Sequence, residues 1–167
     1  MNYASIRTCD IANGDGVRVS LFVSGCTHHC KGCFNEAAWD FGYGEPFTRA
    51  VEDSLLEALV PSYISGLTVL GGEPMEPCNQ RALLPFLRRV RERFGDAKTI
   101  WIYTGCIYEL ELLPDAKTDR WRTEATDEIL ALVDVLVDGP FIEELKNISL
   151  RFRGSSNQRI LDLRKQA

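Results

Sequence analysis

The stretch Val17-Arg-Val-Ser-Leu-Phe-Val-Ser-Gly25, running straight into Cys26-Thr-His-His-Cys30-Lys-Gly-Cys33-Phe34, decides how the chain folds. Its first part is rich in β-branched residues and ends on glycine, which predicts a strand that stops just before Cys26. The three cysteines then lie on the loop that leaves the strand. Further along, Val51, Leu55, Leu56 and Leu59 recur at helical spacing after Thr48, and Pro61 marks the end of that helix. Gly66 to Gly72 is a second short apolar run, followed by Leu83, Leu87, Val90 and Phe94 at helical intervals with Gly95 as the stop. Thr99 to Thr104 predicts a third strand ending at Gly105. A helix over Thr126 to Val133 leads into a fourth strand, Val135 to Asp138, which ends at Gly139-Pro140. A last strand is expected near Arg159 to Leu163, after the polar loop Gly154-Ser155-Ser156-Asn157-Gln158.

Alternating strands and helices imply an α/β fold with a mostly parallel sheet, built by right-handed crossovers, whose strand C-terminal ends share one rim. Ligands of such sheets bind at that rim. About five βα units are too few for a closed eight-unit barrel, so the expected architecture is a single-domain open partial barrel. The chain shows no internal repeat and no low-complexity segment.

Composition narrows the function. The 167 residues, 45% hydrophobic and 26% charged, suit one globular domain with one core. A net charge of -5 and a pI near 5.1 give no electrostatic footprint for nucleic acid. Arg88, Arg89, Arg91 and Arg93 read as the solvated face of one helix. The N-terminus lacks an apolar core like that of a signal peptide, and no run approaches the ~18 to 20 apolar residues of a membrane span. The expectation is a cytoplasmic protein with neither membrane nor nucleic-acid partner. Of the six cysteines, three crowd into eight positions and the others, Cys9, Cys78 and Cys106, are scattered. That is a poor disulfide framework; in a reducing compartment the crowded trio reads as metal binding and the scattered three as incidental.

Three thiolates spaced C-x3-C-x2-C can ligate three corners of an iron-sulfur cubane and leave the fourth iron open. Ordinary electron-transfer clusters use four cysteines, so the shortage suggests that a cofactor or substrate completes the shell. The alternative is a closed zinc site of three cysteines plus His28 or His29, and hence a zinc-stabilised binding module, although both histidines, inside the narrow span between two cysteines, read better as polar loop residues than as ligands. After the second predicted strand stands Gly71-Gly72-Glu73-Pro74. Two glycines there permit a close approach to the backbone, and Glu73 can accept charge-assisted hydrogen bonds from an ammonium group.

The cysteine motif after a first strand and Gly-Gly-Glu-Pro after a second resemble the radical S-adenosylmethionine superfamily. The segments Asp10 to Gly16, Leu21 to Cys26, Glu45 to Thr48, Trp101 to Gly105, Val135 to Phe141 and Arg153 to Arg159 narrow this. Over nearly the whole chain they resemble the activating enzymes of anaerobic ribonucleoside-triphosphate reductases. The resemblance implies one radical S-adenosylmethionine domain, residues 1–167, with a 4Fe-4S cluster on Cys26, Cys30 and Cys33 and S-adenosyl-L-methionine on its open iron. It implies an oxidoreductase in which reductive cleavage of that cofactor yields a 5′-deoxyadenosyl radical, which takes hydrogen from a glycine of the reductase large subunit. An electron donor such as a flavodoxin-like protein is implied too. Gly71, Gly72 and Glu73 then serve the methionyl amine. Many superfamily members have an aromatic residue immediately before the third cysteine; this chain has Gly32 there and Phe34 after it, so Gly32, Cys33 and Phe34 together are expected to line the adenine side. Thr104, Asp138, Ser155, Ser156 and Asn157 fall on the predicted active rim, where they would meet ribose, methionyl group or glycine loop, or else serve as turn and capping residues. Activation of another glycyl-radical enzyme, of the pyruvate formate-lyase type, and a small-molecule radical synthase remain alternative activities.

Overall fold

The computed structural model describes residues 1–165. Among these described residues seven strands form one sheet: β1 (Asn2–Asp10), β2 (Val17–Val23), β3 (Glu45–Pro46), β4 (Ile64–Gly71), β5 (Thr99–Tyr103), β6 (Val135–Asp138) and β7 (Arg159–Asp162). Three α-helices connect its middle, α1 (Arg49–Ala58), α2 (Pro77–Phe94) and α3 (Thr126–Leu132). The strand order is β3-β1-β2-β4-β5-β6-β7, so the two ends of the sheet are unpaired and the sheet is open.

The centre of the sheet is parallel. β2 pairs with β4, β4 with β5 and β5 with β6, each step crossing over through one helix. β1, β3 and β7 are antiparallel additions at the flanks. The architecture is therefore α/β with a mixed sheet, and three crossover units stand where about five were expected. Four of the predicted strands form the parallel centre nearly as read. The last predicted strand is present as β7, but it runs antiparallel: the chain returns to the edge of β6 through loops and one short 3-10 turn (Glu143–Leu145), with no crossover α-helix.

Alternation along each central strand separates two faces. Val19, Leu21 and Val23 of β2, Leu67 and Val69 of β4, Ile100 and Ile102 of β5 and Leu136 of β6 are buried in one core with Leu55 and Leu56 of α1, Leu83, Phe86, Leu87 and Val90 of α2 and Ile129 of α3. The intervening positions mix polar, aromatic and apolar side chains, and Arg18, Ser20, Thr68 and Val137 among them are wholly buried. The Arg18 guanidinium gives hydrogen bonds to the Thr68 and Thr99 hydroxyls and to the carbonyls of Leu67, Thr99 and Asp15, and it lies 5.3 Å from the Trp101 ring. Burial lowers its pKa to about 10, against the pull of surrounding acidic groups. Saturation of its donors is what makes a buried cation tolerable there.

Helix α2 starts a turn and a half before its first predicted apolar anchor, with Pro77 in the first turn where its missing N–H costs nothing, and it stops at Gly95 with φ 52°. Of the four arginines read as its solvated face, Arg88 and Arg93 are exposed and Arg89 and Arg91 half-buried, and each pairs with an acidic group. Arg89 pairs with Glu52 at 2.6 Å and Arg93 with Glu57 at 2.7 Å on the α1 side, while Arg88 pairs with Glu128 of α3 at 2.5 Å and Arg91 with buried Asp134 at 2.7 Å. No described helix is long and apolar enough to cross a membrane.

Because β2, β4, β5 and β6 are parallel, their C-terminal ends open on one rim. The cysteine loop leaves β2 there, Gly71-Gly72-Glu73 leaves β4, Thr104-Gly105 leaves β5 and Gly139 follows β6.

Candidate cluster and cofactor site

A pocket at this rim is lined by Cys26, Cys30, Cys33 and Phe34 from the loop after β2, by Gly71, Gly72 and Glu73 after β4, and by Thr104 and Gly105 after β5. Trp39, Tyr103, Gly139, Phe141, Gly154 and Gln158 complete much of its wall. The two sequence motifs therefore share one cavity.

Backbone bonds hold the cysteine loop. Gly25 N–H donates to the Ala38 carbonyl at 2.8 Å, Cys26 N–H to Trp39 at 3.2 Å, and Cys33 N–H turns back on Cys30 at 3.1 Å. Thr27 donates its amide and its hydroxyl to one carboxylate oxygen of Glu76, at 2.7 and 2.6 Å, and accepts from Arg120 at 2.7 Å. His29, with φ 50°, stacks on Trp39 at 4.5 Å. His28 stacks on Trp121 at 4.4 Å and sends Nε2 to the Glu73 carboxylate at 2.9 Å. Neither histidine is the loose polar residue that the sequence suggested.

Burial pushes the Cys26 thiol up to about 12, although amides of His28 and His29 pull the other way, and burial raises Cys30 as well. Thiolates here are costly without a cation beside them. A bound metal supplies that charge and displaces the protons. At His28 burial disfavours the charged ring, but the hydrogen bond and charge of Glu73 outweigh it and raise its pKa above the ordinary histidine value.

Glu73 is buried. One carboxylate oxygen accepts from Met75 N–H at 2.7 Å; the other accepts from Gly105 N–H at 2.7 Å and from His28. The glycines beside it answer first to the chain's own backbone. A Cβ on Gly72 would stand 2.6 Å from the Gly25 carbonyl oxygen and 2.9 Å from that of Ala38, and one on Gly71, at φ 110°, would meet Val23 and Phe22. Close packing of the β2 and β4 ends thus requires both glycines, which also line the pocket.

The remaining expected residues divide. Phe34 lies at the pocket mouth, 66% exposed, tilted against Phe141 at 5.4 Å with Lys146 over its ring. Gly32 is outside the lining, beside the Glu143 side chain. Thr104 lines the pocket while its hydroxyl caps Cys106 N–H at 3.0 Å. Asp138 does not line it. Its carboxylate accepts from Arg159 at 3.0 and 2.5 Å and from Tyr108 N–H at 2.9 Å, a tie between β6, β7 and the π-helical turn Tyr108–Leu112. Ser155 accepts from Ile142 N–H, Ser156 N–H bonds to Leu145, and Asn157 donates to Pro140, so these three shape the loop. The loop reaches the pocket instead through Gly154 and Gln158, which the sequence reading passed over. Gln158 holds Gly154 and Ser155 by its carbonyl and Gly139 by its amide. Tyr103, Gly105 and Gly139 were findable, since each stands at a predicted strand end; Trp39 and Phe141 carried no such signal. Cys9 and Cys78 are exposed, as incidental cysteines would be, but Cys106 is buried with its sulfur 3.8 Å from His28 Nε2.

Three thiols around one cavity, two of them partly accessible, make a soft donor set suited to an iron-sulfur cluster and short of the four that a closed site needs. Comparison with known proteins gives the same class: residues 12–161 match the family described as a 4Fe-4S single cluster domain. More particularly, the chain is 42% identical over 160 residues to the anaerobic ribonucleoside-triphosphate reductase-activating protein of Pasteurella multocida, covering 95% of each chain. It is 40% identical over 166 residues to the protein of that name in Escherichia coli K12, covering 98% of this chain and all of the other. The protein of the same name in Enterobacteria phage T4 is 39% identical over 160 residues, 96% and 93% of the two chains. The chain belongs to the family of anaerobic ribonucleoside-triphosphate reductase-activating proteins.

Proposed function

We propose that this chain is the radical S-adenosylmethionine activase of an anaerobic ribonucleoside-triphosphate reductase, acting in the cytoplasm as one domain over residues 1–167 with its sheet curved as an open partial barrel. Its cluster ligands are Cys26, Cys30 and Cys33. The observation that carries the reading is the meeting of these cysteines with Gly71, Gly72 and Glu73 on one pocket at the parallel rim. The bound cluster and S-adenosylmethionine supply a 5′-deoxyadenosyl radical when an electron arrives from a donor such as a flavodoxin-like protein.

The chain's own work is positional. Cys26 is fixed by the Trp39 carbonyl and Cys33 by the turn onto Cys30, so the thiols keep a set spacing. Phe34 and Phe141 wall the mouth, and the Gly154-to-Gln158 loop closes the side next to β6; both limit water where a radical must survive. Glu73 keeps one acceptor direction beyond its three partners, enough for the cofactor's ammonium. Glycine of the partner's large subunit is the substrate, so specificity rests on docking of a protein surface; nucleic acid and membrane play no part.

Anaerobic reconstitution tests the ligand set. The expected result is about four irons per chain, lost on Cys26→Ala, Cys30→Ala or Cys33→Ala and kept on Cys9→Ala or Cys78→Ala. With reductant, S-adenosylmethionine and the reductase large subunit, 5′-deoxyadenosine and a glycyl radical visible by electron paramagnetic resonance are expected. Radical on pyruvate formate-lyase and none on the reductase would overturn the partner; zinc in place of iron would overturn the chemistry.

A further inference from the structure

The connection Glu73-Pro74-Met75-Glu76 carries two buried carboxylates, and they grip consecutive residues of the cysteine loop: Glu76 takes Thr27 and Glu73 takes His28. Glu73 alone joins three strand ends, through His28 after β2, Met75 N–H after β4 and Gly105 N–H after β5. His28 is built into this junction from both sides. One face stacks on Trp121, and Gly105 leaves room for the ring, since a Cβ there would come within 2.7 Å of it.

A carboxylate with three donors converging on it is stiff; without His28 one of its oxygens is left to the Gly105 amide alone and the tie to the cysteine loop is gone. From this geometry we propose that His28 is a positioning residue for the radical chemistry. By donating Nε2–H to Glu73 it sets the distance and angle between the cysteine loop and the Gly71-Gly72-Glu73 segment, and so between cluster and cofactor. The inference rests on the assignment of cluster and cofactor to this pocket. Thr27, bonded to Glu76 and Arg120, holds the loop in place when His28 is changed, so iron binding and cofactor placement become separable. Sub-ångström placement is what such a site needs, and a tie of this kind is its structural support.

Two variants divide the ring's contributions. His28→Phe keeps a flat ring for Trp121 and removes the donor; His28→Gln loses the stack and keeps an amide donor able to reach Glu73. Both are reconstituted anaerobically as full-length protein, and three quantities are read: iron per chain, S-adenosylmethionine affinity by equilibrium dialysis, and the change in the reduced cluster's electron paramagnetic resonance signal on adding S-adenosylmethionine. The expected result is wild-type iron in both, an affinity about tenfold weaker in His28→Phe and within about threefold of wild type in His28→Gln, and a cofactor-induced spectral change lost in the first and kept in the second. Tenfold corresponds to about 1.4 kcal/mol. Equal affinity and equal spectra for His28→Phe and wild type would overturn the role, as would iron loss parallel to affinity loss, which makes His28 merely structural. Failure of the wild-type protein itself to bind S-adenosylmethionine overturns the cofactor assignment instead.

Discussion

Gly72 shows how a single residue can answer to two demands, since it lines the pocket and also packs against the chain's own backbone. Sequence placed it where a cofactor approaches the backbone, but the atoms that crowd its missing Cβ are the carbonyls of Gly25 and Ala38, one residue from Cys26 and one from Trp39. Its amide also bonds to Val23 at 2.7 Å, so the segment cannot swing away freely. Gly72→Val should therefore push the base of the cysteine loop outward. The expected outcome is a loss of about 1–3 kcal/mol in unfolding free energy, typical of overpacking, together with reduced iron incorporation. Denaturant titration and iron analysis of the same preparation check both. Full iron with weakened cofactor binding alone would show that the glycine serves the ligand and that the backbone yields easily.

At the scale of elements, the central strands were legible because β2, β4, β5 and β6 are buried apolar runs ending at glycine or just before it, a pattern that parallel pairing with helices on one face demands. β1 was not legible. Its residues are mostly exposed or half-buried, it pairs with β2 through two register irregularities, and nothing in Asn2 to Asp10 alternates. β3 is a two-residue pairing that only tertiary contact creates. The cysteines and Gly-Gly-Glu were legible as local motifs, whereas Gln158 and His28 matter through partners 19 and 45 residues away, Gly139 and Glu73, which no local pattern announces.

The end of β1 also carries a pH prediction. Asp10 accepts from Ala12 N–H at 2.9 Å and from the Asn13 amide at 2.6 Å, and these bonds begin the loop whose Gly14 packs on buried Arg18. Burial works against its charge, yet the hydrogen bonds and Arg7 prevail and hold its pKa below the ordinary 3.8. A depressed carboxyl contributes stability that is complete above the unfolded value and is lost as pH falls through the folded one. Wild-type protein should lose melting temperature more steeply than Asp10→Asn as pH drops below about 4. Parallel curves for the two proteins would show that Asp10 has no such linkage.

For the whole molecule, the cluster site and the fold's stability are largely separate, and this distinguishes an activase of this build from a metal-stapled module. The core joins β2, β4, β5 and β6 to the three helices through two dozen buried side chains, and none of Cys26, Cys30 and Cys33 belongs to it. The loop that carries them is tied down by Thr27, His28 and backbone bonds that need no iron. Small zinc domains are different, since metal binding supplies the folding free energy and the apo chain is unfolded. Iron binding here adds only the mass-action stabilisation that any native-state ligand gives. Protein stripped of iron by an anaerobic chelator, or made as Cys30→Ala, should keep the far-ultraviolet circular dichroism of the loaded protein and still unfold in one cooperative step, at a lower midpoint. Loss of the cooperative transition on iron removal would mean that the cysteine loop carries the sheet, and the core described here would not be self-sufficient.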